Sequence, residues 1–132
     1  MYVKLQSGEK FDSPNDEKVS AILERLHPEY DARATFYADD DEWLSVLGCV
    51  SDGLALSQKS AGSKTVNYCP RMLSLSEAKT ILGRFIRSDA DWKTAVSWKR
   101  NWPLASIAIA AVIAVVIVSI LVLLLLDLVK WL

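Results

Sequence analysis

The stretch LASIAIAAVIAVVIVSILVLLLL, residues 104–126, decides the architecture of this chain. It contains no charged residue, and Ser106 and Ser119 are its only polar side chains. As an α-helix it would span roughly 34 Å, enough to cross a hydrocarbon core of about 30 Å. A helix buried in a soluble core needs only one apolar stripe, whereas this stretch is apolar around its whole circumference. The sequence therefore predicts a single transmembrane helix with a short tail, over residues 102–130.

The rest of the chain predicts a tail-anchored layout. The first 18 residues lack the apolar region of a targeting signal, so we expect the C-terminal run to be the membrane signal. Residues 1–90 are expected to form a globular head. Residues 91–101 are expected to form a basic, aromatic juxtamembrane join that holds the head close to the bilayer, because the join contains few flexible residues.

Charge on either side of the span predicts its orientation. One cation, Lys130, follows the span and is offset by Asp127, whereas five precede it, namely Arg84, Arg87, Lys93, Lys99 and Arg100. Since Lys and Arg accumulate on the cytoplasmic side, we expect a single-pass protein with a cytoplasmic head. The expected membrane is a bacterial inner membrane, although a tail-anchored protein of the endoplasmic reticulum or the outer mitochondrial membrane would have the same layout. Indole rings and cations favour the membrane interface. The predicted interface residues are Trp98, Lys99, Arg100, Trp102 and Trp131.

Hydrophobic periodicity predicts the head's secondary structure. Strands are expected at residues 2–5, 33–38, 43–50, 54–59 and 64–69. A helix is expected to begin with Ser13 as N-cap and to end at His27, before a proline. A second helix is expected to begin at the capping box of Ser74 and Glu77. The predicted fold class is α+β: a two-layer head with a four- to five-stranded, mainly antiparallel sheet and two helices, followed by one C-terminal transmembrane helix.

The acidic run DDDEW is the sharpest charge cluster in the head. It is either an acidic patch that meets a basic partner or a cation, or a solvated loop between two strands. The run lacks the alternating ligands and glycine turn of a calcium loop. Its residues, together with the exposed face of the sheet, are the candidate partner-binding site: Asp39, Asp40, Asp41, Glu42 and Trp43.

No pattern in the sequence predicts catalysis, a metal site or a cofactor. His27 is the only histidine, and its spacing from Cys49 and Cys69 matches no Cys–His pair. Both cysteines are expected to be free thiols in a reducing compartment. Phosphate-binding glycine motifs are absent from the sequence. A net charge of −1 argues against general nucleic-acid binding.

Small residues recur along one side of the predicted span. Ser106, Ala110 and Ala114 are four residues apart, and such stripes let two helices approach closely. We therefore expect that this stripe could pair two helices, in a homo-oligomer or with a membrane partner.

Two segments of the head resemble a known family. They are DEKVSAILERL, residues 16–26, and MLSLSEAKTILGRFIRSDADWKTAVSW, residues 72–98. The second segment resembles the end of small immunity proteins from bacterial polymorphic toxin systems, in which a short helix leads into a segment that closes on Trp. The resemblance implies a non-catalytic binding domain with an α+β fold. The usual members of that family are soluble, whereas this chain contains a predicted span. The resemblance would therefore imply a membrane-tethered variant.

The sequence thus leaves two functions open. In the first, the head binds a protein partner in or at the membrane, as an immunity-like inhibitor or as an accessory subunit of a membrane complex. In the second, the chain is a structural subunit of a membrane assembly that is held mainly through its transmembrane helix. Neither function requires an enzyme or a cofactor.

Overall fold

A computed structural model describes the backbone of residues 1–100 and 104–130, and the side chains of residues 1–100 and 109–130. Two of the predicted interface residues, Trp102 and Trp131, and the side chain of Ser106 lie outside this description. The chain divides into two compact units, the head and the C-terminal helix.

The head contains one antiparallel sheet, as predicted, but the described residues form seven strands rather than four or five. The order across the sheet is β2-β1-β3-β4-β5-β6-β7. The strands are β1 (Tyr2–Leu5), β2 (Lys10–Asp12), β3 (Arg33–Tyr37), β4 (Trp43–Cys49), β5 (Gly53–Lys59), β6 (Asn67–Tyr68) and β7 (Lys99–Arg100).

The two additional strands are short edge strands. Strand β2 lies between the expected strand at residues 2–5 and the first helix, where the sequence predicts no strand, and its Lys and Asp residues have low strand propensity. A tight turn pairs it with β1: Gly8 adopts φ 96°, and the backbone N–H of Leu5 donates to the carbonyl of Glu9 at 2.9 Å. Strand β7 lies in the segment that was predicted to meet the membrane, and it pairs with β6.

Two helices lie in the head, α1 (Asp16–Arg25) and α2 (Leu75–Ile86). The capping box of Ser74 and Glu77 at the start of α2 is confirmed. The predicted N-cap of α1, Ser13, is wrong, because Ser13 adopts φ 48° and lies before the helix. Asn15 is the N-cap instead, and its side chain accepts a hydrogen bond from the N–H of Lys18 at 2.9 Å.

One face of the sheet packs against both helices and forms the core. Facing strand partners share a side of the sheet, so Val3, Phe36 and Leu44 lie side by side, each with no exposed surface. Leu23 from α1 and Leu82 from α2 are equally buried in the same cluster. This arrangement is the predicted two-layer α+β head.

Residues 91–100, which make up most of the predicted join, belong to the same compact unit as the rest of the head. A 3₁₀ turn (Ala90–Lys93) places Trp92 in the core, with its ring edge-to-face against Phe85 at 5.2 Å between centroids. Trp98 packs against the core, and its Nε1–H donates to the carbonyl of Lys93 at 3.0 Å. The predicted contacts of Trp98, Lys99 and Arg100 with lipid stay predictions.

The C-terminal helix, α3 (Leu104–Lys130), is long and apolar enough to cross a membrane. Residues 109–130 contain a window with a mean hydropathy of 3.5 and are exposed throughout. The hydroxyl of Ser119 donates to the carbonyl of Val115 at 2.9 Å, so this polar group needs no solvent partner. At the end of α3, Lys130 Nζ lies 3.4 Å from Asp127 Oδ1.

Gly48 in β4 provides a test of the sheet's geometry. Its φ is 124°, and a Cβ atom there would lie 2.5 Å from the carbonyl oxygen of Gly53. We expect Gly48→Ala to lower the free energy of unfolding by about 2–4 kcal/mol, through backbone strain and overpacking. Gly62→Ala is the control, since Gly62 also has a positive φ, of 73°, but open space around it. It should cost only about 1 kcal/mol.

Denaturation of the full chain in detergent, followed by tryptophan fluorescence, measures both changes. Equal losses for the two variants would contradict the close approach of Gly48 to Gly53.

Candidate functional site: the open face of the sheet

The sheet has a second face that neither α1 nor α2 covers, and we call it the open face. Strand register arranges its side chains in three rows that run across the strands. An aromatic row contains Tyr2, Tyr37, Trp43 and Lys59. A hydroxyl row contains Lys4, Thr35, Ser45, Ser57, Tyr68 and, across from it on β7, Lys99. A third row contains Arg33, Leu47 and Ala55.

The difference in side-chain size between these rows forms a groove. Small side chains in the hydroxyl row form the floor, where Thr35 and Ser45 share a hydrogen bond of 3.0 Å. Two depressions of about 580 and 600 Å³ lie along it, and both are lined by Arg33 and Leu47. One extends to Lys4 and the other extends to Tyr68.

Apolar surface remains accessible in this groove. Leu47 and Tyr68 are each 41% exposed, although both belong to strands of the sheet. Trp43 is partly exposed at the wall of the second depression. An aromatic and aliphatic surface of this kind, surrounded by polar groups, is typical of a binding surface.

The aromatic row is held in place by contacts among its own members. The rings of Tyr2 and Tyr37 stack with 4.7 Å between centroids, and Lys10 Nζ lies 4.4 Å from the centroid of the Tyr2 ring. The hydroxyl of Tyr2 donates to Asp40 at 3.1 Å. Partial desolvation, followed by this hydrogen bond, raises the pKa of Tyr2.

The acidic run forms the turn between β3 and β4, beside the aromatic row. Asp39 accepts hydrogen bonds from the N–H groups of Asp41 at 2.7 Å and Glu42 at 2.8 Å. Asp41 pairs with Lys59 and accepts from the N–H of Gly62 at 2.6 Å. The hydrogen bond from Lys59, followed by that from Gly62, lowers the pKa of Asp41.

Each carboxylate of the run thus has a partner within the head, since Glu42 also lies 3.5 Å from Lys93 Nζ. These contacts join the turn to neighbouring segments of the head. Its role in partner binding stays a prediction. Trp43, the last residue of the run, is the member that lines the groove.

Sequence reasoning named the exposed sheet face but identified only Trp43 among the residues that line its groove. Arg33, Leu47 and Tyr68 were missed, because a strand that is half buried has two alternating faces and the sequence does not label which one is covered. The paired strands β1, β3, β4 and β5 supply most of the site, and their register is visible only in the folded sheet.

Of the residues considered for catalysis or metal binding, Cys69 lines the second depression, whereas His27 and Cys49 line neither depression. His27 stacks on Tyr30 with 4.4 Å between centroids, and its Nδ1 accepts from the N–H of Glu29 at 3.2 Å. Cys49 and Cys69 are both buried free thiols. Cys49 Sγ lies 3.3 Å from a carboxylate oxygen of Asp52. Among the described side chains, no group of three or more His, Cys, Asp or Glu residues could hold a metal ion.

The predicted helix-packing residues Ala110 and Ala114 lie on α3 with exposed side chains. Their exposure leaves them accessible to a second helix, and helix pairing there stays a prediction.

Comparisons with known proteins give no match: no protein-family model, no curated protein and no solved structure is similar to this chain. The interpretation of the open face therefore depends on its geometry and chemistry alone.

Replacement of Asp41 tests whether the acidic run stabilises the head. Because folding lowers the pKa of Asp41, its charge stabilises the head above the unfolded pKa, near 4, and that contribution disappears as the pH falls through the folded value. We expect Asp41→Asn to be less stable than the unmodified chain at pH 7 and equally stable by about pH 2.

Denaturant unfolding across this pH range measures the difference. Glu29→Gln is the matched control, because in the described part of the chain the Glu29 carboxylate has no ion pair or hydrogen bond. A difference between Asp41→Asn and the unmodified chain that persists unchanged at acidic pH would contradict the assignment.

Proposed function

We propose that this chain is a non-catalytic membrane protein, anchored by the helix α3, whose head binds a protein partner through the open face. The observation that supports this proposal is the groove in a sheet face that the head's own helices leave uncovered. The same chain contains a helix apolar enough to cross a membrane. The two features together suit a protein that presents a binding surface at a bilayer.

The charge distribution supports a cytoplasmic head. Arg84, Arg87, Lys93, Lys99 and Arg100 precede the helix, and Asp127 pairs with the single cation that follows it. In a bacterium, this topology places the protein in the inner membrane. The strand β7 ends at Arg100 and α3 begins at Leu104, so few residues of chain connect the head to the span.

Two partners fit the first function, a toxin-like soluble protein and a subunit of a membrane complex. The resemblance to immunity proteins favours the first partner. However, most of the positions that support it belong to the core, since Ala78, Leu82 and Phe85 are buried and Leu75 packs against them. Such positions match for packing reasons, so the resemblance supports the class of fold more than it supports the identity of the partner.

The alternative function, a structural subunit held by its helix, has one observation in its favour. All described side chains of residues 109–130 are exposed, so the helix offers its full circumference to lipid or to other helices. Under this alternative the open face makes no essential contact.

Membrane fractionation tests the anchor. We expect the full chain to remain in membranes washed with alkaline carbonate, and a chain that stops at residue 101 to be released, because the apolar helix supplies the insertion energy. Protease should remove the head from inside-out vesicles but not from sealed right-side-out vesicles. Digestion in the opposite orientation would contradict the cytoplasmic head, and release of the full chain would contradict the anchor.

A pair of matched substitutions tests the binding face. Leu47 on the open face and Val50 in the β4–β5 turn are 41% and 43% exposed. We expect Leu47→Gln to weaken capture of the partner in detergent-solubilised membranes about tenfold, by loss of about 1–2 kcal/mol of apolar contact, while Val50→Gln leaves it unchanged.

Replacement of α3 by an unrelated apolar helix separates the two functions. The first function predicts that capture survives this replacement and is sensitive to Leu47→Gln. The alternative predicts that capture is lost when α3 is replaced. It also predicts that Leu47→Gln in the chain with the original α3 leaves capture unchanged.

A further inference from the structure

The open face is basic, although the chain as a whole is slightly acidic. Strand register places one acidic residue on this face, Asp12 of β2, whose partner across the pair is Tyr2. The cations on the same face are Lys4, Lys10, Arg33, Lys59 and Lys99. A surface with this imbalance, in a chain with a net charge of −1, complements an acidic partner.

Two of these cations are already neutralised. Lys10 lies 3.6 Å from Asp12, and Lys59 pairs with Asp41. In contrast, Lys4, Arg33 and Lys99 have no ion pair with any residue that the structure describes. Lys4 and Arg33 line the first depression together, so the uncompensated charge is concentrated at the β1–β3 end of the groove.

The dimensions of the groove suit an extended segment. It crosses five neighbouring strands, from β1 to β6, which at the usual strand spacing is about 19 Å. About six residues of extended chain cover that distance. The hydroxyl groups of Thr35 and Ser57 on the floor can hydrogen-bond to a peptide backbone, and the exposed Leu47 and Tyr68 can pack against its side chains.

From this combination we propose that the groove binds an extended acidic segment of the partner protein, whose carboxylates pair with Lys4 and Arg33. This inference rests on the proposed function, since it names the part of the partner that the open face recognises. The acidic turn of Asp39 to Glu42 lies beside the aromatic row, so the two sides of the groove differ in charge. A segment bound in the groove should therefore place its acidic residues toward Lys4 and Arg33, away from that turn.

The same observations favour a protein segment over a single strand of nucleic acid. Base stacking along a strand needs a series of free aromatic faces, whereas Tyr2 and Tyr37 stack on each other and Lys10 lies over the Tyr2 ring, which leaves Trp43 and Tyr68 as rings open to a base. The acidic turn would also repel a continuous phosphate backbone along that side of the groove. Carboxylates on a segment can be spaced to avoid it.

Synthetic polymers test the charge preference directly. The full chain in nanodiscs of neutral lipid is mixed with a fluorescent random copolymer of Glu and Tyr, and anisotropy measures binding. We expect binding that weakens with added salt, because the attraction is electrostatic. A copolymer of Lys and Tyr should not bind. Stronger binding to the basic copolymer, or equal binding to both copolymers, would overturn the inference.

Substitution of Arg33 locates the binding. Arg33→Glu should weaken binding of the acidic copolymer about tenfold, and Arg33→Lys should keep most of it, because a positive charge remains. Lys18→Glu on α1 is the matched control, since Lys18 is exposed and lies off the open face. Equal effects of Arg33→Glu and Lys18→Glu would overturn the inference.

The same anisotropy assay distinguishes two other classes of ligand. A single-stranded oligouridine that binds more tightly than the acidic copolymer would replace the inference with nucleic-acid binding. Anionic lipid vesicles that bind the full chain in an Arg33-dependent way, when the copolymer does not, would replace it with a lipid surface.

A photo-crosslinking residue at position 47, used in cells, separates failure of this inference from failure of the proposed function. Crosslinking to one protein through an acidic segment, lost on Arg33→Glu, supports both. Crosslinking to one protein that persists with Arg33→Glu, or that maps to a segment without acidic residues, supports the proposed function and overturns the inference. Absence of any crosslinked protein would overturn both.

Discussion

The head has only enough helix in its described residues to cover one face of its sheet, and the open face depends on this constraint. Two helices, of 10 and 12 residues, are available to cover a sheet of seven strands. Side chains alternate between the two faces of each strand, and both helices pack on one face, so the head's own helices leave the side chains of the other face uncovered. The covered side forms a single core, and the other side becomes a surface on which small, aromatic and cationic side chains are ordered by strand register. The groove is a consequence of that order.

Tryptophans extend the core beyond the second helix. Trp92 packs edge-to-face on Phe85, and Trp98 packs edge-to-face on Trp92 with 6.2 Å between centroids. These contacts bring the chain back to the sheet, where Lys99 and Arg100 pair with β6 as its last strand. Burial of an indole ring contributes roughly 3 kcal/mol, so the segment is held firmly to the head. A tether of solvent-exposed residues would have no such contacts.

The charged side chains of the acidic turn and those of the open face differ in how they are paired. Carboxylates of the turn accept hydrogen bonds from backbone N–H groups and pair with lysines, so they stabilise the loops at one end of the sheet. Two of the three unpaired cations of the open face, Lys4 and Arg33, line the first depression, and the third, Lys99, lies on β7. The charges of the turn are paired within the head, whereas Lys4 and Arg33 have no ion pair with any residue that the structure describes. The candidate site therefore contains charges that the ion pairs of the head do not use.

The sequence by itself determined the apolar helix, the class of fold and most of the paired strands. Each of these depends on a pattern of residues close together in the chain. The patterns are an unbroken apolar run, alternation along β3 to β5, and the capping box at Ser74. The tertiary structure alone decided the edge strands β2 and β7, the burial of Trp92 and Trp98, and which face of the sheet stays open. Those features depend on contacts between residues far apart in the chain, for which no local pattern exists. The same reason explains why the acidic run attracted attention in the sequence, whereas Arg33 and Leu47 became visible as a site only after register placed them beside each other.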